Sequence, residues 1–278
     1  MSSPAWLQKL VAMALEEDLG QGDVTSEVCV PAGAMAQGEI VAKAQGVLAG
    51  LDAAREVARQ VDERLTFAPH LSDGDAVSPG SLIAGITGPA RSILAFERTA
   101  LNFLQQLSGV ATLTRTYVDR VRGTKCRVVD TRKTVPGMRA LQKRAVLAGG
   151  GANHRMGLDD AILVKDNHIA LAGGVREALQ AAKERAPHMM KIEIEVPTPE
   201  EAQIAAEGGA DVIMLDNMAP AQVRESIARI GGRAVTEVSG GVTLENVAAY
   251  AAEGVDIISV GRLTHSAPAL DMSLEIRS

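Results

Sequence analysis

The chain predicts an α/β fold in two parts, an antiparallel turn-rich region followed by a parallel α/β barrel or most of one. Three observations carry this. Apolar residues make up 46% of the 278 residues but aromatics only 2%, so Ala, Val, Leu, Ile and Met must build the core. That composition favours close helix–sheet packing over an aromatic-rich β sandwich, and the length allows a proper hydrophobic core. From Gly38 to about Pro89, short alternating stretches are punctuated by Asp-Gly, Pro-Gly and Thr-Gly-Pro, as in antiparallel β structure. After Lys125, short β-branched runs alternate regularly with helical segments, the pattern of a parallel sheet.

Taken in order, "MSSPAWLQKLVAMALEEDLG" places Trp6, Leu7, Leu10, Val11 and Leu15 at helical spacing before Gly20, an amphipathic helix. No basic segment precedes an unbroken apolar run, so it does not read as a signal sequence. "GEIVAKAQGVLAG" and "LTFAPHLSDGDAVSPGSLIAGITG" read as strands, with one helix, "LDAAREVARQV", between them. The stretch "ARSILAFERTALNFLQQLSGVATLTRTYVDRVRG" predicts two helices broken near Ser108-Gly109. The strands "CRVVD", "AILVKD", "KIEIEV", "DVIMLD", "AVTEVSGG" and "DIISVGR" follow, separated by helices such as "VREALQAAKERA", "PEEAQIAAEGG", "AQVRESIARI" and "LENVAAYAAEG". The closing "DMSLEIRS" reads as a strand that returns to the first region. The expected domains are therefore 1–110, joined by 269–278, and 111–268.

Several classes are excluded by composition. Cys29 and Cys126 stand alone, with no spacing for a disulfide framework or a metal motif. No run approaches the roughly 18 apolar residues of a membrane span. A net charge of -6 and scarce aromatics leave no basic face with stacking residues for nucleic acid. A soluble cytoplasmic protein is expected.

Against this acidic background, Asp130–His168 gathers cations around the triple glycine Gly149-Gly150-Gly151. The strand ends explain why. Asp130-Thr131-Arg132-Lys133, Lys165-Asp166-Asn167-His168, Glu195, Asp216-Asn217, Ser239-Gly240-Gly241 and Gly261-Arg262 each close an apolar run. In parallel α/β folds the carboxyl ends of the strands share one face, where active sites are built. The alternative is that polar residues merely mark where strands surface. In "KIEIEV", Glu193 and Glu195 share one face. Glu195 is nearer the ligand end, and Glu193 is expected to pair with an interior lysine or arginine, since a lone buried carboxylate costs several kcal/mol. "SGG", with a helix starting near Thr243, and "VGR" offer bare backbone N–H groups for a phosphate. His154 and His168 lack partners for zinc, and "GGGANHR" is no Walker loop. The inferred ligand is polyanionic.

Arg139, Lys143 and Arg144, on the helical "GMRALQKRAVLA", read as solvated charges, with Arg139 able to face the site. Asp166 and Asn167 either orient Lys165 or touch a metal, His168 supports the residues that touch ligand, and the glycines turn the backbone so that His154 and Arg155 face the mouth.

These motifs resemble a known family. "EEDLGQGDVTS", "ERTALNFLQQLSGVATLT", "DTRKTVPGMRALQKRAV", "GGGANHRMGLDDAILVKDNH", "EIEV", "MLDNM", "SGG" and "VGRLTHS", in this order, are similar to the quinolinate phosphoribosyltransferases, nearly end to end. The resemblance implies an N-terminal open α/β sandwich domain and an incomplete, six- to seven-stranded α/β barrel. It also implies a homodimer or larger assembly with a shared active site. The implied reaction joins quinolinate and phosphoribosyl pyrophosphate, with Mg2+, to give nicotinate mononucleotide, pyrophosphate and CO2. By resemblance, Arg98 (from the partner subunit), Arg132, His154 and Arg155 hold quinolinate, near Thr131. Lys133, Lys165, Glu195 and Asp216 are the implied catalytic residues, the lysines toward the pyrophosphate and the departing carboxylate, the acids toward the ribose. Ser239, Gly240, Gly241, Gly261 and His265 would cradle the 5′-phosphate, with Mg2+ held through the pyrophosphate near Glu195 and Asp216. Two rival readings remain: a Schiff-base lyase or aldolase using Lys133 or Lys165, and a non-catalytic paralogue of the kind encoded with molybdate transport systems.

Overall fold

The structure, a computed structural model, describes residues 3–277. It divides into two compact units. The first runs through Leu113 and adds Pro136–Gly150 and the residues from Ser266; the second comprises Thr114–Val135 and Gly151–His265.

In the first unit, α1 (Ala5–Leu19) buries Leu7, Val11 and Leu15, one helical stripe, while Trp6 stays partly exposed. A short α2 (Val24–Cys29) is capped by Asp23, whose carboxylate accepts the Ser26 N–H at 3.0 Å. Strand β1 (Met35–Ala42), the two-residue β2 (Gly46–Val47), α3 (Leu51–Val61), β3 (Thr66–Pro69), β4 (Ala76–Val77) and β5 (Leu82–Pro89) follow. β1, β5 and β3 form an antiparallel sheet, and β2 pairs with β4 in a separate ribbon. Next comes α4 (Ala90–Arg120), an unbroken helix of 31 residues, not the expected pair. Gly109 is there for close approach rather than as a breaker. A Cβ on it would lie 2.0 Å from the Pro268 carbonyl oxygen. Ser108 is buried and binds the Ala49 main chain at both ends, accepting its N–H at 2.9 Å and donating to its C=O at 3.1 Å.

The second unit alternates strand and helix. β6 (Arg127–Val129) is followed by α5 (Arg139–Ala148), which belongs with the first unit although the expected barrel domain included it. The reason lies in its faces. Leu141, Lys143, Ala145 and Val146 are buried, and the Arg144 guanidinium sits 5.1 Å above the Trp6 ring. Lys143, at 1% exposure, is thus not a solvated charge. Then follow β7 (Ile162–Val164), α6 (Asp166–Ala172), α7 (Val175–Arg185), β8 (Ile192–Val196), α8 (Pro199–Glu207), β9 (Val212–Asp216), α9 (Pro220–Ile230), β10 (Val235–Ser239), α10 (Val247–Ala252), β11 (Ile257–Ser259) and α11 (Arg262–His265). α10 starts at Val247, not near Thr243, because the Asn246 carboxamide oxygen takes the Thr243 N–H at 2.8 Å and holds the intervening residues as a turn.

The six strands are parallel in the order β6-β11-β10-β9-β8-β7. β7 to β11 pair in sequence order and β6 pairs with β11, but β6 and β7 do not pair with each other, so the α/β barrel is incomplete. The chain after the glycines partly covers the free edge of β6, through a parallel bridge between Ala152 and Val129. Ile192, Ile194 and Val196 are buried against α7 and α8, which turns Glu193 and Glu195 to the barrel interior. The last strand, β12 (Met272–Arg277), pairs antiparallel with β1 at the edge of the first unit's sheet. Among the described residues no helix is long and apolar enough to cross a membrane.

Candidate active site

A pocket of about 260 Å3 opens at the carboxyl ends of the barrel strands. Seven expected residues line it: Thr131, Arg132 and Lys133 after β6, His154 and Arg155 after the glycines, Lys165 after β7, and Ser239 closing β10. Local bonds hold each place. Thr131 Oγ1 accepts the Lys133 N–H at 3.0 Å, and the Lys133 carbonyl accepts the Thr264 hydroxyl at 2.7 Å, tying this turn to α11. The buried Asp130 carboxylate accepts the His154 N–H at 3.0 Å. Of the three glycines, Gly150 takes the left-handed conformation (φ 89°) that makes the turn. Gly261 lets Lys133 lie across it, since a Cβ there would meet Lys133 Cδ at 3.0 Å.

Charge sets the character of the pocket. Burial, and then the neighbouring Arg132 charge, lower the Arg155 pKa from its ordinary value. Two guanidinium groups thus repel each other across a small space, and an entering anion relieves that repulsion. Arg155 is aimed by a bond from its Nη1 to the Ala161 carbonyl at 2.8 Å. Lys165 Nζ meets Glu195 Oε2 at 2.5 Å, so the ligand-end carboxylate is paired with a site lysine. His168 acts on the backbone, its Nδ1 accepting the Lys165 N–H at 2.9 Å, while Asp166 Oδ1 accepts the Asn167 N–H at 2.7 Å.

Glu195, Asp216, Gly240, Gly241, Gly261 and His265 stand at the same strand ends but outside the lining of this pocket. Asp216 is held by Asn217, whose Nδ2 donates to Asp216 Oδ2 at 2.6 Å. Asn217 has φ 53°, a left-handed conformation uncommon outside glycine. Its N–H bonds to the Ser239 carbonyl at 2.9 Å, and its side chain fills the space where a Cβ on Gly240 would lie, 2.3 Å from Oδ1. Gly240 (φ 83°) and Gly241 (φ 62°) are therefore required as glycines. Arg98 is exposed on α4 of the first unit and does not line the pocket.

Three lining residues, Leu163, Met214 and Ser259, escaped the sequence reading. Each lies two residues before a strand-end position already singled out (Lys165, Asp216, Gly261), so strand alternation was the available signal. Glu237, two before Ser239, escaped in the same way. Glu193 pairs not with an interior lysine or arginine but with His154, whose Nε2 lies 3.1 Å from Glu193 Oε2 and 3.6 Å from Glu237 Oε1. Burial, then the charge on Glu193, push the Glu237 carboxyl up to about 7.

An incomplete α/β barrel with clustered cations and glycine-rich last strand ends is the architecture of enzymes that act on small phosphorylated polyanions. The quinolinate phosphoribosyl transferase family models match the chain at residues 23–108 for the N-terminal domain and 110–275 for the C-terminal domain. The chain is 44% identical to a probable nicotinate-nucleotide pyrophosphorylase [carboxylating] of Bacillus subtilis, covering 97% of this chain and 93% of that protein. It is 43% identical to the nicotinate-nucleotide pyrophosphorylase [carboxylating] of Mycobacterium leprae, over 96% and 95%. The solved nicotinate-nucleotide pyrophosphorylase of Francisella tularensis superposes with TM-score 0.95 at 38% identity, covering 99% of this chain and 98% of that one. The chain belongs to the quinolinate phosphoribosyl transferase family.

Proposed function

We propose that the chain catalyses the carboxylating pyrophosphorylase reaction of de novo NAD synthesis: quinolinate and phosphoribosyl pyrophosphate give nicotinate mononucleotide, pyrophosphate and CO2. The observation that carries this is the small pocket in which Arg132, Lys133, Arg155 and Lys165 converge, charge suited to a planar dicarboxylate beside a pyrophosphate. Guanidinium forks match carboxylates in bidentate fashion, so Arg132 and Arg155 take the diacid, with His154 beside them. The quinolinate nitrogen attacks the anomeric carbon as the bond to the pyrophosphate oxygen breaks. Positive charge grows on the ribose in this step, and Glu195 and Asp216 stabilise it. Lys133 and Lys165 take up the charge of the departing pyrophosphate and the carboxylate to be lost. Ser239, Gly240, Gly241 and Gly261, with His265, seat the 5′-phosphate. The bond to the lost carboxylate then breaks, its electron pair passing to the ring carbon next to the cationic nitrogen, where a proton replaces it.

Mg2+ suits this arrangement as a partner of the pyrophosphate, and Glu195 and Asp216, hard oxygen donors at the ends of adjacent strands, would help to hold it. When bound it neutralises leaving-group charge. The working form is a cytoplasmic homodimer or larger assembly in which the partner subunit supplies its own copy of Arg98 to the pocket. Chromatography of reactions with each acid tests the reading. Nicotinate mononucleotide should form from quinolinate and not from nicotinate; no product, or equal use of nicotinate, overturns it.

A further inference from the structure

His154 stands between two cavities. One is the pocket at the carboxyl ends of the strands; the other, of about 790 Å3, lies at their amino ends, and His154 and Arg155 line both. The Arg155 backbone N–H donates to His154 Nδ1 at 2.8 Å, while Nε2 faces the Glu193 and Glu237 carboxyls. A ring nitrogen that accepts a hydrogen bond carries no proton, so the neutral imidazole is protonated on Nε2. That decides against a metal here. The three side chains do have ligand spacing, all donor atoms within 4.8 Å of one another. Ligation through Nε2 would, however, move the ring proton to Nδ1, where a backbone N–H already points.

Glu193 is 8% and Glu237 2% exposed, and Oε1 of each lacks a hydrogen-bond partner. Apolar residues of similar volume would serve packing as well or better. Packing alone thus gives the pair no reason to be acidic. We propose that Glu193 and Glu237 are positioning residues for His154. From the barrel interior they fix its Nε2–H tautomer and ring plane, and through the Arg155 main chain they fix the seat of that guanidinium in the pocket. The proposal rests on the quinolinate site described above. Burial first, then the Glu193 charge, hold the Glu237 carboxyl well above its ordinary range.

Two measurements on the full-length protein separate this inference from the functional reading. Long-range 1H–15N spectra of 15N-histidine-labelled protein, with His154 assigned through His154→Gln, should show bare Nδ1 and protonated Nε2, and Glu193→Leu should blur that pattern into a mixture of tautomers, the Arg155 N–H and Glu237 holding only part of it. An Nδ1–H ring in the wild type, or an unchanged pattern in the variant, overturns the proposal whatever the enzyme's substrate. In steady-state kinetics, Glu193→Leu should raise KM for quinolinate at least tenfold and leave KM for phosphoribosyl pyrophosphate within twofold, with Tm no lower. Glu193→Gln, which keeps an acceptor oxygen, should recover most of the loss. Unchanged quinolinate KM, or both KM values rising as Tm falls, overturns it. A wild type that keeps the tautomer but does not use quinolinate sinks the functional reading alone.

Discussion

Glu237→Gln keeps the shape of a buried acid and removes its charge, so its effect on stability should depend on pH. Burial first, then the Glu193 charge, raise the folded carboxyl from 4.5 to about 7, against the pull of His154 and the Ser259 hydroxyl. Between those values the folded chain keeps a proton that the unfolded chain has released. The stability this contributes is full below about pH 4 and is lost as pH rises through 7. At about 1.4 kcal/mol per pKa unit, the wild type loses roughly 2 to 3 kcal/mol between pH 5 and pH 8 through this one group. The glutamine variant lacks that slope, so relative to wild type it should gain about 2 to 3 kcal/mol over the same interval. Urea denaturation followed by far-UV circular dichroism measures it. Fluorescence would report elsewhere, because the single tryptophan, Trp6, belongs to the first unit. A wild-type-minus-variant difference equal at pH 5 and pH 8 within about 0.5 kcal/mol would refute the reasoning.

Arg132→Lys keeps the charge but loses the fork, and kcat/KM should fall on the order of a hundredfold with an unchanged dichroism spectrum; the proposed shared site predicts that mixing it with Arg98→Ala restores activity. Asn217→Gly should hold Tm near wild type yet lower kcat/KM about tenfold through the lost bond to Asp216, whereas Asn217→Ala should lower both, its strained φ adding about 1 kcal/mol. Gly109→Ala drives a methyl into the Pro268 carbonyl and should cost about 2 kcal/mol, read as a fall in Tm; an unchanged Tm would show that the 266–269 segment yields freely. Burial raises the Cys126 thiol to about 12 and Cys29 is exposed, so an aromatic disulfide reagent at pH 8 should count one thiol in native protein and two in urea.

What the sequence revealed was mostly local. The six barrel strands were legible because each β-branched run is short, bounded by glycines or charges, and ends in polar residues. The cations converged as the strand-end rule requires, and the closing "DMSLEIRS", read as a strand returning to the first region, pairs with β1. What stayed hidden depends on neighbours far along the chain. Gly109 reads as a helix breaker because glycine costs about 1 kcal/mol in a helix interior, and only the passing 268–269 backbone shows why it is tolerated. Lys143 looks like any surface lysine until its helix is placed. Glu193 called for a cation, and its partner turned out to be an imidazole from a loop that no periodicity marks.

The strand order has a consequence for how this molecule comes into being. Arg127, at the start of β6, pairs with Ile257, and Gln37 in β1 pairs with Arg277. Each sheet therefore waits for a segment far along the chain from the strand it completes. On a ribosome, the loop bearing Arg132 and Lys133 has no fixed seat until β11 emerges, and β1 keeps an open edge until β12 does. A chain interrupted before Ile257 would own every cation of the pocket, yet Arg132 and Lys133, which follow β6, would have no fixed seat. Synthesis through β11 is in this sense a precondition of chemistry, enforced by topology alone.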